Sequence, residues 1–485
     1  MYIAVFLITI FFLAFLLLKQ SKVQTFVVRK VTENLSNTLK TKVSIGRVDI
    51  DFFKTLVLEN VYVEDKAKDT ILYAGRVKVN IGLLSLSQQK ILISYSALEN
   101  ARVNIYKKDG MKEFNYDFIL KAFSSNNVDT TGGSTWEFDM EDIELSNIRL
   151  SFFDFAGKID LDVQLKKSQI DLQTLGLNDQ HLIVDKVTLI GLQTAFTNLR
   201  GTPETLSADT SKQNTQPAPP WSFTVKNLTI ENTTLAYNNM NFAEAQSGID
   251  YNHTYVKNLN GEIGLDINSK NYSFNVKSLS LHEESGFILN DLKVSALLTD
   301  TSTSINLARF LTPLSDLDHS LKISLPDFAK LQEKVNEIGA QASFDGDVIS
   351  LQDVAYFAPQ VNEFTQIKNQ KIIISGDLDG RIDNIVFNDA SVSLGKNLVV
   401  GDFILKGLPD VDKLTFDVNL ERLQTTGKFI AEFVPDKSSP VNITSTGNIL
   451  ASGNFKGNIN KFSSNAVIKT SIGQVNHNLR LVLNK

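Results

Sequence analysis

The chain has 485 residues, a net charge of −6 and no cysteine. Its acidic and basic residues are interspersed, which argues against a nucleic acid partner because neutralising a phosphate backbone needs clustered cations. The absence of cysteine excludes a disulfide framework, a thiolate metal site and a thiol nucleophile. Hydrophobic residues make up 42% of the chain, a share typical of a folded protein rather than a disordered one.

The first predicted element is a transmembrane anchor over residues 1–18. It carries no charged residue, and its length is at the short end of what spans a bilayer as a helix. A basic start and a small-x-small site before Lys19 are both missing, so we predict an anchor that is not cleaved. The basic residues after the span conflict with an external body under the positive-inside tendency, and we therefore expect a basic leader upstream of Met1. The predicted anchor side chains are Ile3, Phe6, Phe11, Phe12, Phe15 and Leu18.

An amphipathic juxtamembrane helix is predicted over residues 19–41. Apolar residues recur at helical spacing along it, and Lys, Glu and Asn occupy the other face. Two placements remain open: the helix lies at the membrane or closes the end of the following β body, or it packs on the core of that body. The apolar residues are Val23, Phe26, Val27, Val31, Leu35 and Leu39.

Beyond residue 42 the hydrophobic period changes from helical to two, which predicts half-buried strands throughout. Turn signals at Lys108-Asp109-Gly110, Asp345-Gly346 and Asp379-Gly380 predict short antiparallel hairpins between the strands. Only two short helices are expected in this body, over residues 114–123 and 328–338, so a parallel doubly wound sheet is disfavoured. The alternation is clearest at 76–81 and 159–165, and it returns at Phe223 and Val225 and at Phe274 and Val276.

Internal repeats indicate a body built of similar hairpins. Four segments align without gaps at a shared asparagine, a residue that tolerates the left-handed conformation of a bend or bulge. A second pair, ISGDLDGRIDNI from Ile374 and ASGNFKGNINKF from Ala451, shares two glycines. Such repetition predicts a body in which each hairpin contacts mainly its neighbours. The aligned positions are Asn60, Asn100, Asn147 and Asn232 in the first set, and Gly376 with Gly453 and Gly380 with Gly457 in the second.

Residues 201–220 are polar, rich in Pro, Ser and Thr, and without periodicity, which predicts a loop or linker between two β segments. The five histidines show no metal-ligand spacing, and no nucleophile elbow or phosphate-binding loop is present. Asp377, Asp379 and Asp383 form the best carboxylate set for polysaccharide hydrolysis, but Asp-Gly turn chemistry explains them equally. We therefore predict no enzymatic activity, no cofactor and no metal.

The segment 35–81 resembles the amino-terminal module of the AsmA-like superfamily, specifically the TamB-type translocation and assembly module proteins of Bacteroidetes-like bacteria. The resemblance rests on the anchor, the juxtamembrane helix ending before V-S-I-G at 43–46, Phe52-Phe53, L-x-N-V-x-V at 58–63 and DTILYA at 69–74. Residues 371–408 also look like the middle of such a protein. The resemblance implies an inner-membrane anchor and a long, curled, antiparallel β sheet that crosses the periplasm with a taco-like apolar groove.

In the domain organisation that follows, an AsmA-like β module spans residues 42–200, and groove repeats continue over 221–485. Family members are usually longer and end in a further β domain that meets an outer-membrane barrel, so we expect a truncated carboxyl end. The implied function is phospholipid transport between membranes, assistance to outer-membrane protein assembly, or both. The alternative is a membrane-tethered β-repeat adhesin or scaffold that binds a protein or glycan. The predicted groove-lining residues are Val77, Val79, Ile159, Leu161, Val163, Phe223, Val225, Phe274 and Val276.

Overall fold

The computed structural model confirms a mainly β protein with few helices, strands making up 67% of the part that is described. The chain divides into two compact units. Unit 1 comprises Met1–Ala245, Asp250–Ser269 and Leu281–Glu284, and unit 2 comprises Gln246–Ile249, Lys270–Ser280 and Ser285–Lys485. The structure describes residues 21–51, 55–81, 90–123, 137–176, 180–202, 221–268, 270–299, 301–326, 334–363, 367–432, 442–458 and 460–482.

The helices are short apart from the first. The α-helices are α1 (Ser21–Leu39), α2 (Asp117–Phe123), α3 (Leu351–Phe357) and α4 (Gly427–Ala431), and 3-10 turns lie at Val335–Glu337, Pro359–Glu363, Val411–Lys413 and Ile443–Thr446. Among the described residues, no helix combines the length and the apolar character needed to cross a membrane. The predicted anchor, residues 1–18, lies outside the described residues, as do residues 203–220 of the predicted loop.

Twenty-five strands are present in the described ranges. Those of unit 1 are β1 (Val43–Ser44), β2 (Arg47–Asp51), β3 (Thr55–Glu64), β4 (Thr70–Ile81), β5 (Lys90–Lys107), β6 (Glu137–Asp154), β7 (Ile159–Gly176), β8 (His181–Ile190), β9 (Gln193–Asn198), β10 (Ser222–Asn239) and β11 (His253–Ile267). The others are β12 (Asn271–Glu283), of which 271–280 belong to unit 2, β13 (Ile288–Leu289), β14 (Asp291–Thr299), β15 (Ser302–Leu311), β16 (Asp316–Leu317), β17 (Leu321–Pro326), β18 (Gly339–Ser350), β19 (Lys371–Arg381), β20 (Asn384–Leu394), β21 (Asn397–Lys406), β22 (Thr415–Thr426), β23 (Asn448–Asn458), β24 (Lys461–Thr470) and β25 (Gly473–Val482).

The strands of unit 1 form a mixed sheet. β1 and β2 both pair with β3, which is followed by β4 and β5 in antiparallel order. β5 and β6 are parallel, and β7 returns antiparallel to β6. β8 and β9 lie end to end between β7 and β10, antiparallel to the first and parallel to the second. The strands before and after residues 201–220 are thus neighbours, so this stretch connects two strands of one unit.

The prediction of antiparallel hairpins throughout is therefore wrong at the β5–β6, β8–β10 and β9–β10 pairings. Parallel neighbours need a crossover connection of a dozen residues or more. The chain provides such connections between Lys107 and Glu137 and between Asn198 and Ser222. In the first of them, the predicted short helix at 114–123 is present as α2.

The four repeated asparagines mark one line across unit 1, here named the bulge line, at which each strand changes its alternation of inward and outward side chains. Each asparagine has a φ between 50° and 54°, the left-handed conformation that asparagine adopts more readily than other non-glycine residues. The alternation shifts by one position at this line, so apolar residues on both sides of it reach the same face. The ladder registers from β3 to β7 continue across the line without a shift. On β3, Asn60 separates Leu58 from Val61 in this way.

The bulge line also crosses strands that have no asparagine at this point. On β7, two successive exposed residues, Lys166-Lys167, stand between the buried residues Leu165 and Ser168, which is the same one-residue shift. The line coincides with the break between β1 and β2 at Gly46 and with the break between β8 and β9 at Gly191. Unit 1 thus has one continuous bulge line.

In unit 2 the paired strands from β14 to β25 are antiparallel throughout. The four repeated glycines, at 376, 380, 453 and 457, all have φ between 119° and 147°, a region that favours glycine. Two predicted turns are wrong: Asp345-Gly346 is a bulge inside β18, and Asp379-Gly380 lies within β19. Of the helix predicted at 328–338, the described part contains only the 3-10 turn Val335–Glu337.

Helix α1 packs on unit 1 through its carboxyl end. Leu39 is buried, and the helix contacts β1, β2 and α2. Nζ of Lys66 donates a 2.5 Å hydrogen bond to the carbonyl oxygen of Leu39, and Oγ of Ser36 accepts one from the backbone nitrogen of Val43 at 3.0 Å. Phe26, nearer the amino end, is 57% exposed. The carboxyl end therefore packs on the first strands of the sheet, which is compatible with both expected placements on the β body.

Helix α3 is held in unit 2 by an aromatic contact and a buried carboxylate. The ring of Phe287, which is 5% exposed, meets the ring of Phe357 edge to face at 5.1 Å. The carboxylate of Asp353 accepts hydrogen bonds from Oγ1 of Thr312 at 2.6 Å and from Oγ of Ser315. The sequence pattern did not predict this helix, because its anchoring partners are distant in the chain.

A pH-dependent contact joins His319 to the buried side chain of Asp347 in unit 2. Nδ1 of His319 lies 2.9 Å from Oδ2 of Asp347. This contact raises the pKa of His319, burial opposes it, and the charges of Asp345 and Asp318 add to it. The contact therefore stabilises the fold fully below the unfolded pKa of His319, and the contribution is lost as pH rises through the raised folded value.

We expect His319→Gln to lower the thermal midpoint at about pH 5.5 and to leave it unchanged at about pH 8.5. Circular dichroism melts of both proteins across this range measure the difference. A deficit of the variant that is independent of pH would show that the ring stabilises the fold by packing and not by its charge.

Candidate functional site

The ladder pairings of unit 1 align apolar residues in rows that run across the strands. In each of two such rows, seven of the eight members are apolar. The two rows lie on opposite sides of the bulge line. The change of alternation at that line places both rows on one face of the sheet. The rows are Leu56, Val79, Ser96, Ile143, Ile170, Val187, Leu228 and Ile263, and Val63, Leu72, Val103, Leu150, Val163, Thr194, Leu235 and Val256.

The other predicted groove residues of β4 and β7 lie on the same face. Val77 has Leu58 and Leu98 as its ladder partners. Leu161 is paired with Phe152 and Phe196. Ile159 follows the same alternation but pairs with Asp154 and Asn198, so the apolar surface ends at this residue.

The two predicted residues of β10 extend the surface at the opposite ends of the strands. Val225 pairs with Val184 and Leu265, and Phe223 pairs with Leu182 and Ile267. A register shift between Val225 and Leu228 keeps both on the apolar face. Phe223 is 39% exposed, so a large part of its ring is open to the surroundings.

Unit 2 carries longer rows, which begin at the predicted residues Phe274 and Val276. The Phe274 row crosses twelve strands without a polar side chain, and the Val276 row has one serine. The first row is Phe274, Ala296, Ile305, Ile323, Ala340, Gly380, Ile385, Leu405, Phe416, Gly457, Phe462 and Leu481. The second is Val276, Val294, Leu307, Leu321, Ala342, Leu378, Phe387, Phe403, Val418, Phe455, Ser464 and Leu479.

Most of these side chains are only half-buried. In the Val276 row, Ala342 and Ser464 are buried, and Leu479 is 39% exposed. Within the described part of each unit, the extensive contacts of the strands are with ladder neighbours, while α3 contacts β18 and α4 contacts β22. The half-buried side chains of the rows therefore keep surface that another apolar body can cover.

The opposite face is polar and has its own cross-strand pairs. On unit 1, Glu59 lies 3.0 Å from Arg76, and Glu99 lies 2.7 Å from Lys78. The pKa of Arg76 is raised, chiefly by its hydrogen bond to Glu59. Burial raises the pKa of Tyr95 to about 12, and its hydroxyl donates to Glu144 at 3.0 Å. The two faces therefore differ in chemistry along the same strands.

Each carboxylate of the hydrolase alternative has a different partner. Asp377 accepts a 2.6 Å hydrogen bond from Ser343, Asp379 accepts one from Gln341 at 3.2 Å, and Asp383 pairs with Arg381 at 2.7 Å. Within the described ranges, no group of three or more His, Asp and Glu side chains has the arrangement of a metal site.

Sequence reasoning named nine groove residues and missed most members of the rows they belong to. The missed residues, such as Phe403 and Phe455, show the same alternation, but only the ladder registers align them across strands. Comparison of the chain with protein-family models, curated proteins and solved structures gave no match.

Proposed function

We propose that the chain is an inner-membrane-anchored, single-pass protein of a Gram-negative envelope whose periplasmic body carries phospholipid between membranes. In this proposal each sheet curls so that its apolar face becomes the inside of a groove, as in the TamB-type proteins that the sequence resembles. Assistance to outer-membrane protein assembly, through a barrel partner, belongs to the same proposal. The function is transport and does not involve catalysis.

One observation carries the proposal: apolar rows cross many strands, and most of their side chains remain only half-buried. Each exposed CH₂ of such a surface costs about 0.8 kcal/mol relative to a buried one. Acyl chains can cover this surface without bringing any polar group that must be satisfied. The lipid tails would then take the place of a packed second sheet.

The uniformity of the rows also suits movement of the bound molecule. A site with buried polar groups fixes one ligand orientation and holds it. The Phe274 row has no polar side chain over twelve strands, so an acyl chain meets similar surface at successive positions. Neighbouring positions along the row are therefore close in binding energy, and a lipid tail can pass between them.

Site-specific photo-crosslinking tests the proposal. Photo-reactive p-benzoylphenylalanine replaces Phe403 on β21 or Phe455 on β23, both in the Val276 row. The matched controls are Asp402 and Asn454, which precede these residues on the same strands and face the polar side. After irradiation of cells that express the full chain, mass spectrometry of the purified protein identifies the adducts. We expect phospholipid adducts at Phe403 and Phe455, several times more abundant than at the controls.

Equal lipid labelling from both faces would reflect general membrane proximity and would contradict a lipid-binding groove. Adducts to protein alone at Phe403 and Phe455 would also contradict it, and would favour the membrane-tethered scaffold or adhesin. The two strands also serve as replicates, because they lie in one row and should give the same adducts.

A further inference from the structure

A second binding surface lies on the polar face of unit 1. Strands β3 to β6 form a cavity there of about 940 Å³, on the carboxyl-terminal side of the bulge residues of β3, β5 and β6. This volume is within the range of small-molecule sites in proteins. Its lining residues are Tyr62, Asp69, Thr70, Tyr73, Asn100, Ala101, Arg102, Asn104, Tyr106, Lys108, Asn147, Arg149 and Phe153.

Two arginines stand side by side in this cavity. Arg102 and Arg149 are direct partners in the parallel ladder of β5 and β6, so their backbones are about 4.8 Å apart. Neither guanidinium has an ion pair or hydrogen bond with any other residue that the structure describes. Across the bulge line on β4, by contrast, Arg76 lies 3.0 Å from Glu59 and 3.9 Å from Glu99. Like charges directly opposite each other on paired strands repel.

The whole cavity is positive although the chain is negative. Its charged lining residues are Arg102, Arg149, Lys108 and Asp69, three cations and one anion, whereas the chain has a net charge of −6. The carboxylate of Asp69 has its ion pair with Lys108, whose Nζ lies 3.8 Å away, and not with either arginine. Lys42 adds a further positive charge beside the cavity, 5.6 Å from the ring centre of Tyr62.

The remaining lining suits an organic group rich in hydroxyls. Tyr62 and Tyr73 are ladder partners, and both line the cavity. Asn100 and Asn147 are joined by a 2.7 Å hydrogen bond between their side chains, and the amide of Asn104 adds further polar atoms. Aromatic rings with hydroxyl and amide groups can pack on and hydrogen-bond to a sugar or a glycerol headgroup.

We propose that this cavity binds a phosphate group carried on a hydroxyl-rich moiety, with Arg102 and Arg149 as its ligands. Guanidinium groups pair with phosphate through two parallel hydrogen bonds, and a phosphate has enough oxygens to engage two of them at once. A carboxylate has only two oxygens and satisfies one such fork. The phosphate belongs to a membrane-lipid headgroup or to a soluble phosphorylated sugar, and the two sources share this chemistry. The proposal concerns the face opposite the apolar rows and stands without the proposed function.

Binding by the full chain tests it with two probes, glucose 1-phosphate in calorimetry and phosphatidylglycerol–phosphatidylcholine vesicles in co-sedimentation. The site variant is Arg102→Gln with Arg149→Gln. The matched control is Arg422→Gln with Arg480→Gln, which removes two exposed arginines from unit 2. We expect the site variant to lose at least about tenfold in affinity for one probe, and the control to retain it. Loss with glucose 1-phosphate identifies a soluble ligand, and loss with vesicles alone identifies a lipid headgroup.

Thermal unfolding of the proteins without ligand shows whether a loss of binding comes from a folding defect. The site variant should melt at or above the wild-type midpoint, because it removes a repulsive pair. The effective probe should raise the midpoint of wild type and of the control by mass action, and leave the site variant unchanged. Binding of both probes with wild-type affinity by the site variant would overturn the proposal, as would an equal loss in the control. Lipid crosslinking at Phe403 is not expected to change, which separates this result from the test of the proposed function.

Discussion

Replacing Gly380 and Gly457 together by alanine is expected to destabilise unit 2 by about 4 kcal/mol or more. Both glycines have positive φ, 130° and 146°, in a region where other residues are strained. A Cβ at Gly380 would lie 2.1 Å from the carbonyl oxygen of Asn384, and one at Gly457 would lie 2.3 Å from that of Lys461. Backbone atoms of a paired strand cannot move aside without breaking the ladder, so both steric clash and strain contribute.

The measurement is urea unfolding followed by hydrogen exchange of peptides from β19 to β24, which reports unit 2. The control is Gly346→Ala, because Gly346 has a φ of 77° and no atom within 4 Å of an added Cβ. That variant carries the conformational strain alone, about 1–2 kcal/mol. If the double variant is no less stable than this control, close approach of the strands is not what requires glycine at these positions.

Replacing Asn100 and Asn147 by valine is expected to destabilise unit 1 by about 2–4 kcal/mol. Both residues are left-handed, with φ of 54° and 52°, and a β-branched side chain adopts this conformation poorly. The substitutions also remove the 2.7 Å hydrogen bond between the two side chains. The ring of Trp221 stacks on Phe223 of β10 in unit 1, so a change of tryptophan fluorescence during urea unfolding reports this unit.

Two controls separate conformation from side-chain chemistry. Glycine at Asn100 and Asn147 should stay within about 1 kcal/mol of wild type, because glycine reaches positive φ without a steric penalty. Valine at Asn454, an asparagine of unit 2 whose φ is not positive, should be close to neutral, since valine favours strands. A glycine variant as unstable as the valine variant would assign the loss to the asparagine hydrogen bonds and not to the bulge.

Local features of the sequence predicted much of this fold because they act over a few residues. Strict alternation placed strands at 76–81 and 159–165, and both segments lie inside strands of the structure. The shared asparagine of four aligned segments predicted bends or bulges, and all four residues have positive φ. These signals depend on the preference of single residues and on their immediate neighbours.

Pairing between distant strands could not be predicted in the same way. A turn signal such as Asp345-Gly346 is chemically similar in a hairpin and in a bulge, and only the pairing of β18 with β19 distinguishes them. The change of alternation on β7 at Lys166-Lys167 occurs without glycine or asparagine, so no local residue signal marks it. The arginine pair of the phosphate cavity is separated by 47 positions and becomes visible only in the parallel register of β5 and β6. Part of the candidate site is therefore a property of the ladder and not of any local motif.

The bulge line of unit 1 has a consequence for how such a protein can change in size during evolution. In unit 1 the alternation shifts within each strand at the bulge line, so each strand repeats the order of apolar and polar positions of its neighbour. Duplicating or deleting one hairpin therefore changes the sheet by about 9.6 Å, two strand spacings, and preserves the order of apolar and polar rows. The number of hairpins therefore sets the distance that the sheet spans. Evolution can change this distance without altering the apolar and polar surfaces of each hairpin.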